Sequence, residues 1–346
     1  MDMSDRFLGC MLGGATGDAL GYIIEFDDLY TIHKKFGSYG LRTVLKLESN
    51  DRKGIISDDT QMSIFTADGL LWAAHDDLEP REGLYRSYMR WYYTQTKELV
   101  SPDQAEWMKQ QDHERVWNYN VMEEPDLYAR RIQGKTCLKA LAENDCPERK
   151  YANNNSKGCG SIMRAAPLGL YYAGDPEKAF LVGCQAGSLT HGNPSGYLSA
   201  GMLSASVALL SEGKPLAETI PAVLRILQKH KYYEDVKSAV VRAVDEAVTD
   251  REPWRAMKRI GQGWVAEEAY ALALYCLLKT EKLKDAVIMA CNQDGDSDSC
   301  GAVCGNMAGT MYGAQAVPHS WLQKLECSDL LTRLADNLLQ ANLQRN

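Results

Sequence analysis

The chain has 346 residues, 45% hydrophobic and 24% charged, with 46 acidic against 38 basic side chains and a formal net charge of −8. That is ample chain for a large buried core. So acidic a chain is excluded as a general binder of nucleic acid, which needs clustered Lys and Arg.

The N-terminal Met1-Asp2-Met3-Ser4-Asp5 places no basic stretch ahead of an apolar one, so no signal peptide is expected. No apolar run is read as reaching the ~18 residues of a spanning helix, so no membrane is expected either. The first periodic segment carries Gly9, Gly13, Gly17 and Gly21, one every four residues. Each glycine inside a helix costs roughly 1 kcal/mol relative to alanine. Four on one stripe predict a close helix–helix seam that offsets the cost. Glu25 follows the stripe. Residues 38–48 could hold a short strand.

Ser57-Asp58-Asp59-Thr60 precedes a helix expected over 59–74, with Met62, Phe65, Gly69 and Trp72 on one face. One such residue suffices as an N-cap, and four oxygen-bearing side chains exceed that need, which points to cation ligation. The segment 100–135, with Trp107, Trp117, Tyr119 and Tyr128, reads as a partner surface, a lid or plain packing. It is no phosphate-binding P-loop: Gly134-Lys135-Thr136 lacks the earlier glycine, since position 129 is Ala129.

Asn153 to Ser161 is a small, polar loop ahead of an apolar run from Ile162 to Leu170. Its backbone N–H groups could cradle a phosphate, or it could be an ordinary turn. His191, in Leu189-Thr190-His191-Gly192, is unremarkable alone. Helices are expected over 198–211, 236–247, 266–279 and 329–343.

Asp294-Gly295-Asp296-Ser297-Asp298-Ser299 leads into a second stripe, Gly301, Gly305, Gly309 and Gly313. It is not an EF-hand, because Ser299 and Gly305 stand where that loop needs glycine and glutamate. Carboxylates packed against small apolar residues repel one another unless a cation intervenes. Oxygen ligands favour Mg²⁺ or Mn²⁺ over zinc. Cys291, Cys300 and Cys304 come without a C-x-x-C pair, so no zinc site is expected there. The ten scattered cysteines suit reduced, buried thiols in the cytoplasm.

Taken together, GDALG at 17–21 with Glu25, SDDTQM at 57–62, SKGCGSIMRAAPLGL at 156–170, LTHGNPSGYLSAG at 189–201, WVAEEAYALALYCLL at 264–278 and GDSDSCGAVCGNMAGTMYG at 295–313 resemble the ADP-ribosylglycohydrolase family across nearly the whole chain. The resemblance implies one domain over 1–346: a compact, all-α orthogonal bundle with a binuclear centre, usually of Mg²⁺ and sometimes Mn²⁺. By position, Ser57, Asp58, Asp59, Asp296, Asp298 and Ser299 match metal-binding residues. Glu25 matches a metal-linked or catalytic glutamate, and Asp58 and Asp59 would assist the reaction. Asn155, Ser156, Lys157, Gly158, Cys159 and Gly160 match the stretch that wraps diphosphate and ribose. His191 and Trp264 match ligand-contacting positions. Many relatives have Asn at the position of Cys159, and Thr at that of Ser297 or Ser299.

The implied reaction is hydrolysis at C1 of the distal ribose of an ADP-ribosylated protein, arginine favoured, releasing ADP-ribose. Three rivals stand beside it: a structural relative without activity, an immunity protein that also blocks an ADP-ribosyltransferase directly, and an ADP-ribose binder without turnover.

Overall fold

The structure, a computed structural model, describes residues 1–45, 54–96, 108–143, 151–323 and 325–345. The described residues form helices joined by turns. In chain order these are α1 (Met3–Gly21), α2 (Leu29–Phe36), α3 (Asp58–Asp76), α4 (Pro80–Thr96), α5 (Asp112–Trp117) and α6 (Lys135–Ala142). There follow α7 (Ala166–Tyr171), α8 (Pro176–Ser188), α9 (Pro194–Ser211), α10 (Leu216–Leu227), α11 (Glu234–Ala247) and α12 (Pro253–Ile260). The chain ends with α13 (Ala266–Lys279), α14 (Leu283–Cys291), α15 (Ser297–Tyr312), α16 (His319–Leu322) and α17 (Ser328–Arg345). Extended pairing among the described residues is limited to two isolated bridges, Gly54 with Leu325 and Gly158 with Val265. The all-α expectation holds, and α3, α9, α11, α13 and α17 cover the five predicted helices.

The two glycine stripes pack against each other. A Cβ added at Gly9, Gly13 or Gly17 would fall within 3.0 Å of the carbonyl oxygen of Gly309, Gly305 or Gly301. Gly21 stands in the same relation to Ser297. The helices therefore run antiparallel with backbones in contact, a spacing only glycine permits. The geometry has a direct consequence: the C-terminal end of α1 meets the N-terminal end of α15.

Two expectations need correction, and one open reading narrows. Residues 38–45 form no strand, and 46–48 lie outside the described residues. The Leu41 backbone is clamped instead by one side chain: Asn292 Oδ1 accepts from Leu41 N at 2.7 Å and Asn292 Nδ2 donates to Leu41 O at 2.8 Å. Second, Met3–Ile24 is long and apolar enough to cross a membrane, by length and composition. Its small residues spread that character too thinly to read as one apolar run. In the fold, 83% of the apolar window is buried inside the protein.

Of the three readings left open for 100–135, the described aromatic residues fit plain packing. Tyr119 and Tyr128 are buried, the Trp117 carbonyl accepts from Asn337 Nδ2, and Trp107 lies outside the described residues. Tyr119 joins a buried ionic knot. Asp68 of α3 accepts from Ser87 Oγ (2.6 Å), Arg90 Nη1 (3.1 Å), His113 Nε2 (2.8 Å) and Tyr119 OH (2.9 Å). Arg90 also reaches Glu114 at 2.8 Å. Burial alone would raise Asp68, but Arg90 and His113 hold it well below the usual carboxylate range. The knot ties α3, α4 and α5 into one unit, with the acidic end of α3 projecting from it.

Candidate active site

Helix α1 supplies the first carboxylate. Asp18, fully buried, lies one turn before Gly21. It accepts from Ser57 N at 3.0 Å, from Thr60 N at 3.1 Å and from the Thr60 hydroxyl. Asp18 thus seats the N-terminus of α3 from outside that helix. Ser57 Oγ accepts from Asp59 N at 3.1 Å and serves as the helix's own cap. With both caps in place, the carboxylates of Asp58 and Asp59 are not required for capping. Asp58 Oδ2 instead accepts from Gly134 N at 3.0 Å, so the end of the 108–135 segment reaches the site.

Helix α15 brings the third group. Asp296 caps it, accepting from Ser299 N at 3.1 Å. Asp298 Oδ1 accepts from the same N–H at 2.8 Å. Beyond α1, the tight turn Tyr22–Ile24 carries Glu25 into the same space. Six carboxyl groups from two helix N-termini and one C-terminal end therefore share one buried site.

Their electrostatics agree with that arrangement. Burial is the first cause of every shift, and neighbouring carboxylates add to most. Asp18 is pushed up to about 7, Asp58 to about 8 and Glu25 to about 9. Asp59, Asp296 and Asp298 are raised as well. Asp298 recurs as a source of repulsion for Asp18, Glu25, Asp58, Asp59 and Asp296. Asp59 Oδ2 and Glu25 Oε2 are buried with no hydrogen-bond partner. Buried acceptors left unsatisfied among mutually repelling acids are what divalent cations would relieve. The residues present fit a metal centre held by Ser57, Asp58, Asp59, Asp296, Asp298 and Ser299.

The loop 155–160 borders this cluster. Cys159 Sγ donates to Asp296 Oδ2 at 2.8 Å. Burial and the nearby Asp296 and Asp59 keep the thiol protonated, well above the usual thiol range. Several loop donors are already engaged: Ser156 N to Asn154 Oδ1, Gly158 N to Ser156 Oγ, and Cys159 N to Trp264 O. Asn155 accepts from Asn193, and Lys157 pairs with Glu267. The loop is thus a braced strap rather than an open row of N–H groups.

His191 faces the loop. Cβ atoms added at Gly158 and Gly160 would lie 3.5 Å from its Nε2. That nitrogen is buried without a partner. Thr190 Oγ1, 2.8 Å from His191 Nδ1, also accepts from Arg164 at 2.6 Å. Burial first, and Arg164 second, lower the histidine to about 3, so the ring is neutral. Trp264 has a divided role. Its carbonyl holds the loop, while its indole stacks on Phe26 with centroids 5.9 Å apart. That stack stands at a cleft of ≈ 390 Å³ that also includes Glu25.

The structure thus gathers Glu25, Ser57, Asp58, Asp59, Asp296, Asp298, Ser299 and Cys159 in one place, with His191 across the loop and Trp264 to one side. Asp18 and Gly134 are missing from the sequence-based set. Asp18 had a signal: an acid on a helix whose glycine stripe demands close packing. Gly134 had none, because its contribution is a backbone N–H. A separate group, Glu124, Asp126 and Cys327, has ligand atoms within 4.8 Å of one another and shares no residue with the cluster.

Comparison with known proteins agrees with these features. The model of the family described as ADP-ribosylglycohydrolase matches residues 1–346. The chain is 24% identical to the ADP-ribosylarginine hydrolase Tri1 of Pseudomonas putida, covering 96% of this chain and 78% of that protein. It is 24% identical to the ADP-ribosyl-[dinitrogen reductase] glycohydrolase of Rhodospirillum rubrum, covering 93% and 90%. The human ADP-ribosylhydrolase ARH3 is also 24% identical, over 96% of this chain and 92% of its own length. A solved structure titled ADP-ribosylglycohydrolase-related protein complex shares the fold, with a TM-score of 0.69, 24% identity and 99% of each chain covered. The chain belongs to the ADP-ribosylglycohydrolase family and is a glycosidic-bond hydrolase.

Proposed function

We propose that this hydrolase removes ADP-ribose from a modified protein side chain, arginine first among candidates, with a pair of divalent cations in the acid cluster. The observation that carries the reading is the convergence of five buried carboxyl groups and the half-buried Glu25, two of the six with a buried, unpartnered oxygen, beside a glycine-rich strap. Hard oxygen donors favour Mg²⁺, with Mn²⁺ as the alternative. Bound there, such cations supply charge neutralisation and Lewis acidity at the distal ribose. The whole chain acts as one domain, and the nine cysteines among the described residues, all free, suit a reducing cytoplasm.

The chain's own residues divide the remaining work. Glu25, raised to about 9 in the protein alone, can hold a proton on Oε2 at neutral pH and assist proton transfer at the ribose. Asp58 and Asp59 would hold the cations, and the unpartnered Asp59 Oδ2 would help orient the attacking water. Thr190, already accepting from Arg164, can donate to His191 Nδ1, which puts the imidazole proton on Nε2. His191 is then a neutral donor aimed at the strap, suited to a ribose or phosphate oxygen. Trp264 supports the strap through its carbonyl, while its ring lines the cleft beside Glu25, where it can meet the substrate at the scissile end.

The decisive assay is turnover of defined ADP-ribosyl-arginine and ADP-ribosyl-serine peptides with Mg²⁺ or with chelator. Hydrolysis that persists in chelator would overturn the metal reading. Hydrolysis of the serine peptide alone would overturn the arginine preference. Direct blockade of a transferase is the second reading, and turnover-dead Asp58→Ala/Asp59→Ala that still inhibits a transferase would support it.

A further inference from the structure

The acid cluster has two unlike flanks. On one side stands the strap with Lys157 and His191. On the other, the ≈ 390 Å³ cleft opens from Glu25 between the turn after α1, helix α12 and the loop ahead of α15. Large aromatics line it yet remain open to solvent: Phe26 is 67% exposed, Trp254 45% and Trp264 38%. Exposed aromatics grouped at the mouth of a site mark a surface that something covers. The cleft is also acidic. Asp27, Asp28 and Asp294 line it against a single cation, Lys258. Asp27 is engaged by Lys35 at 2.6 Å. Asp28 and Asp294 form no ion pair among the described residues. Each is instead held rigidly by a backbone N–H, from Thr31 at 2.8 Å and Leu29 at 2.7 Å.

These charges decide which end of a substrate lies here. A diphosphate would be repelled by fixed carboxylates. A basic side chain would lay its alkyl stem on the aromatic faces and its charge against Asp28 and Asp294. We propose that this cleft docks a lysine or arginine of the carrier polypeptide close to its ADP-ribosylated residue. The nucleotide then lies along the strap and the carrier leaves through the aromatic cleft. The proposal rests on the reading that the chain removes ADP-ribose from a polypeptide.

The test uses peptides with one ADP-ribosylated arginine or serine, whichever the parent hydrolyses, flanked by lysines, alanines or glutamates. The free ADP-ribosyl amino acid is the reference. Two exposed pairings predict that kcat/KM falls roughly tenfold from the lysine to the glutamate peptide. Lys258→Glu should widen that ratio severalfold, a gain that a damaged fold cannot produce. Asp28→Asn keeps the cap of α2 and should narrow it about threefold. Trp254→Ala should raise KM for the lysine peptide without changing kcat or the affinity for ADP-ribose. None of the three should alter turnover of the free ADP-ribosyl amino acid. Equal kcat/KM across the three peptides overturns the proposal. So does weakened ADP-ribose binding in Trp254→Ala, which would put the nucleotide in the cleft. If no ADP-ribosylated substrate is hydrolysed, the functional reading fails by itself. Anisotropy of the unmodified lysine-flanked peptide then decides the docking, which requires tighter binding to Lys258→Glu and weaker binding to Asp28→Asn.

Discussion

Stripping divalent cations with a chelator and raising the pH from 5 to 7 should destabilise this protein, although most proteins are comfortable there. Asp58 is raised from 3.8 to about 8 and Asp18 from 3.8 to about 7, in both cases first by burial, with the charge of Asp298 adding. A raised folded-state value means that the folded chain binds the proton more tightly than the unfolded chain. The resulting stability is complete below the unfolded value and drains away as the pH climbs toward the folded one. One such carboxyl loses about 1.4 kcal/mol per pH unit in that window, hence about 2.7 kcal/mol between pH 5 and 7. For a chain of this size that is a fall of roughly 5 °C in Tm. The carboxyls repel one another, so their contributions do not add independently, and one group's worth is the magnitude to look for.

Saturating Mg²⁺ should flatten or reverse the slope, because the cation takes the proton's place and releases it. Differential scanning calorimetry at pH 5, 6 and 7, with chelator and with Mg²⁺, measures the slope. Titration calorimetry in two buffers of different ionisation heat counts the protons. Asp58→Asn isolates the cluster from the rest of the protein's titration: its chelated slope should be shallower than the parent's, and its apo form more stable at pH 7. A chelated parent whose Tm is flat or rising over this range, with no proton release on adding Mg²⁺, would refute the reasoning.

Three further outcomes are expected. Gly13→Leu and Gly305→Leu should each cost well above the roughly 1–3 kcal/mol of ordinary overpacking, since backbone faces the new side chain; chemical denaturation matching the parent would mean the seam is not what joins α1 to α15. Asp18→Ala leaves the buried Ser57 and Thr60 N–H groups without their acceptor and should cost about 1–3 kcal/mol for each. It should also shrink the Tm gain on adding Mg²⁺, and a full gain would show that α3 is seated some other way. The pair Asp58→Ala/Asp59→Ala should abolish turnover while leaving weaker but measurable ADP-ribose binding; parental turnover in that variant defeats the catalytic assignment.

Much of this architecture is legible in the sequence, because glycine spacing and acid spacing carry direct geometric meaning. Glycines at every fourth position can be read as a stripe, and two stripes as a seam, without a homologue in view. The acids at 57–60 and 294–299 are legible for the same reason: they exceed what helix capping needs. The failures have a common physical origin. Asn292 replaces strand pairing at Leu41 with two side-chain hydrogen bonds from a residue 251 positions away. Local periodicity carries no trace of such a clamp. The sequence leaves Tyr119 and Tyr128 open between surface, lid and packing, because the acceptor of the Tyr119 hydroxyl, Asp68 on α3, is 51 positions away. The sequence leaves the strap at 155–160 open between phosphate cradle and ordinary turn, and cannot show that Asn154, Ser156 and Trp264 take up three of its N–H groups.

Two costs are built into this fold, and each accounts for the other. Eight glycines weaken the propensity of α1 and α15, which are nevertheless long and deeply buried. Five acids are buried from water and Glu25 is half-buried beside them, and burial with mutual repulsion raises their affinity for protons. Neither is favourable alone. The glycine seam brings backbone against backbone, so the end of α1 and the start of α15 are fixed with no side chain between them. The buried knot at Asp68 fixes α3 equally firmly, and Asp18 then links α3 to the seam. Rigid supports of this kind stop the carboxylates from relaxing apart, which is how a loosely held acid cluster would lower its own repulsion. The strain therefore stays at the site, where the proposed cations would relieve it. The same rigidity fits a candidate set drawn from helix ends and one tight turn rather than from long loops. Loosening any one support, whether at Gly305, Asp18 or Arg90, should therefore lower cation affinity before it unfolds the protein, and Mg²⁺ titration of each variant reads that order directly.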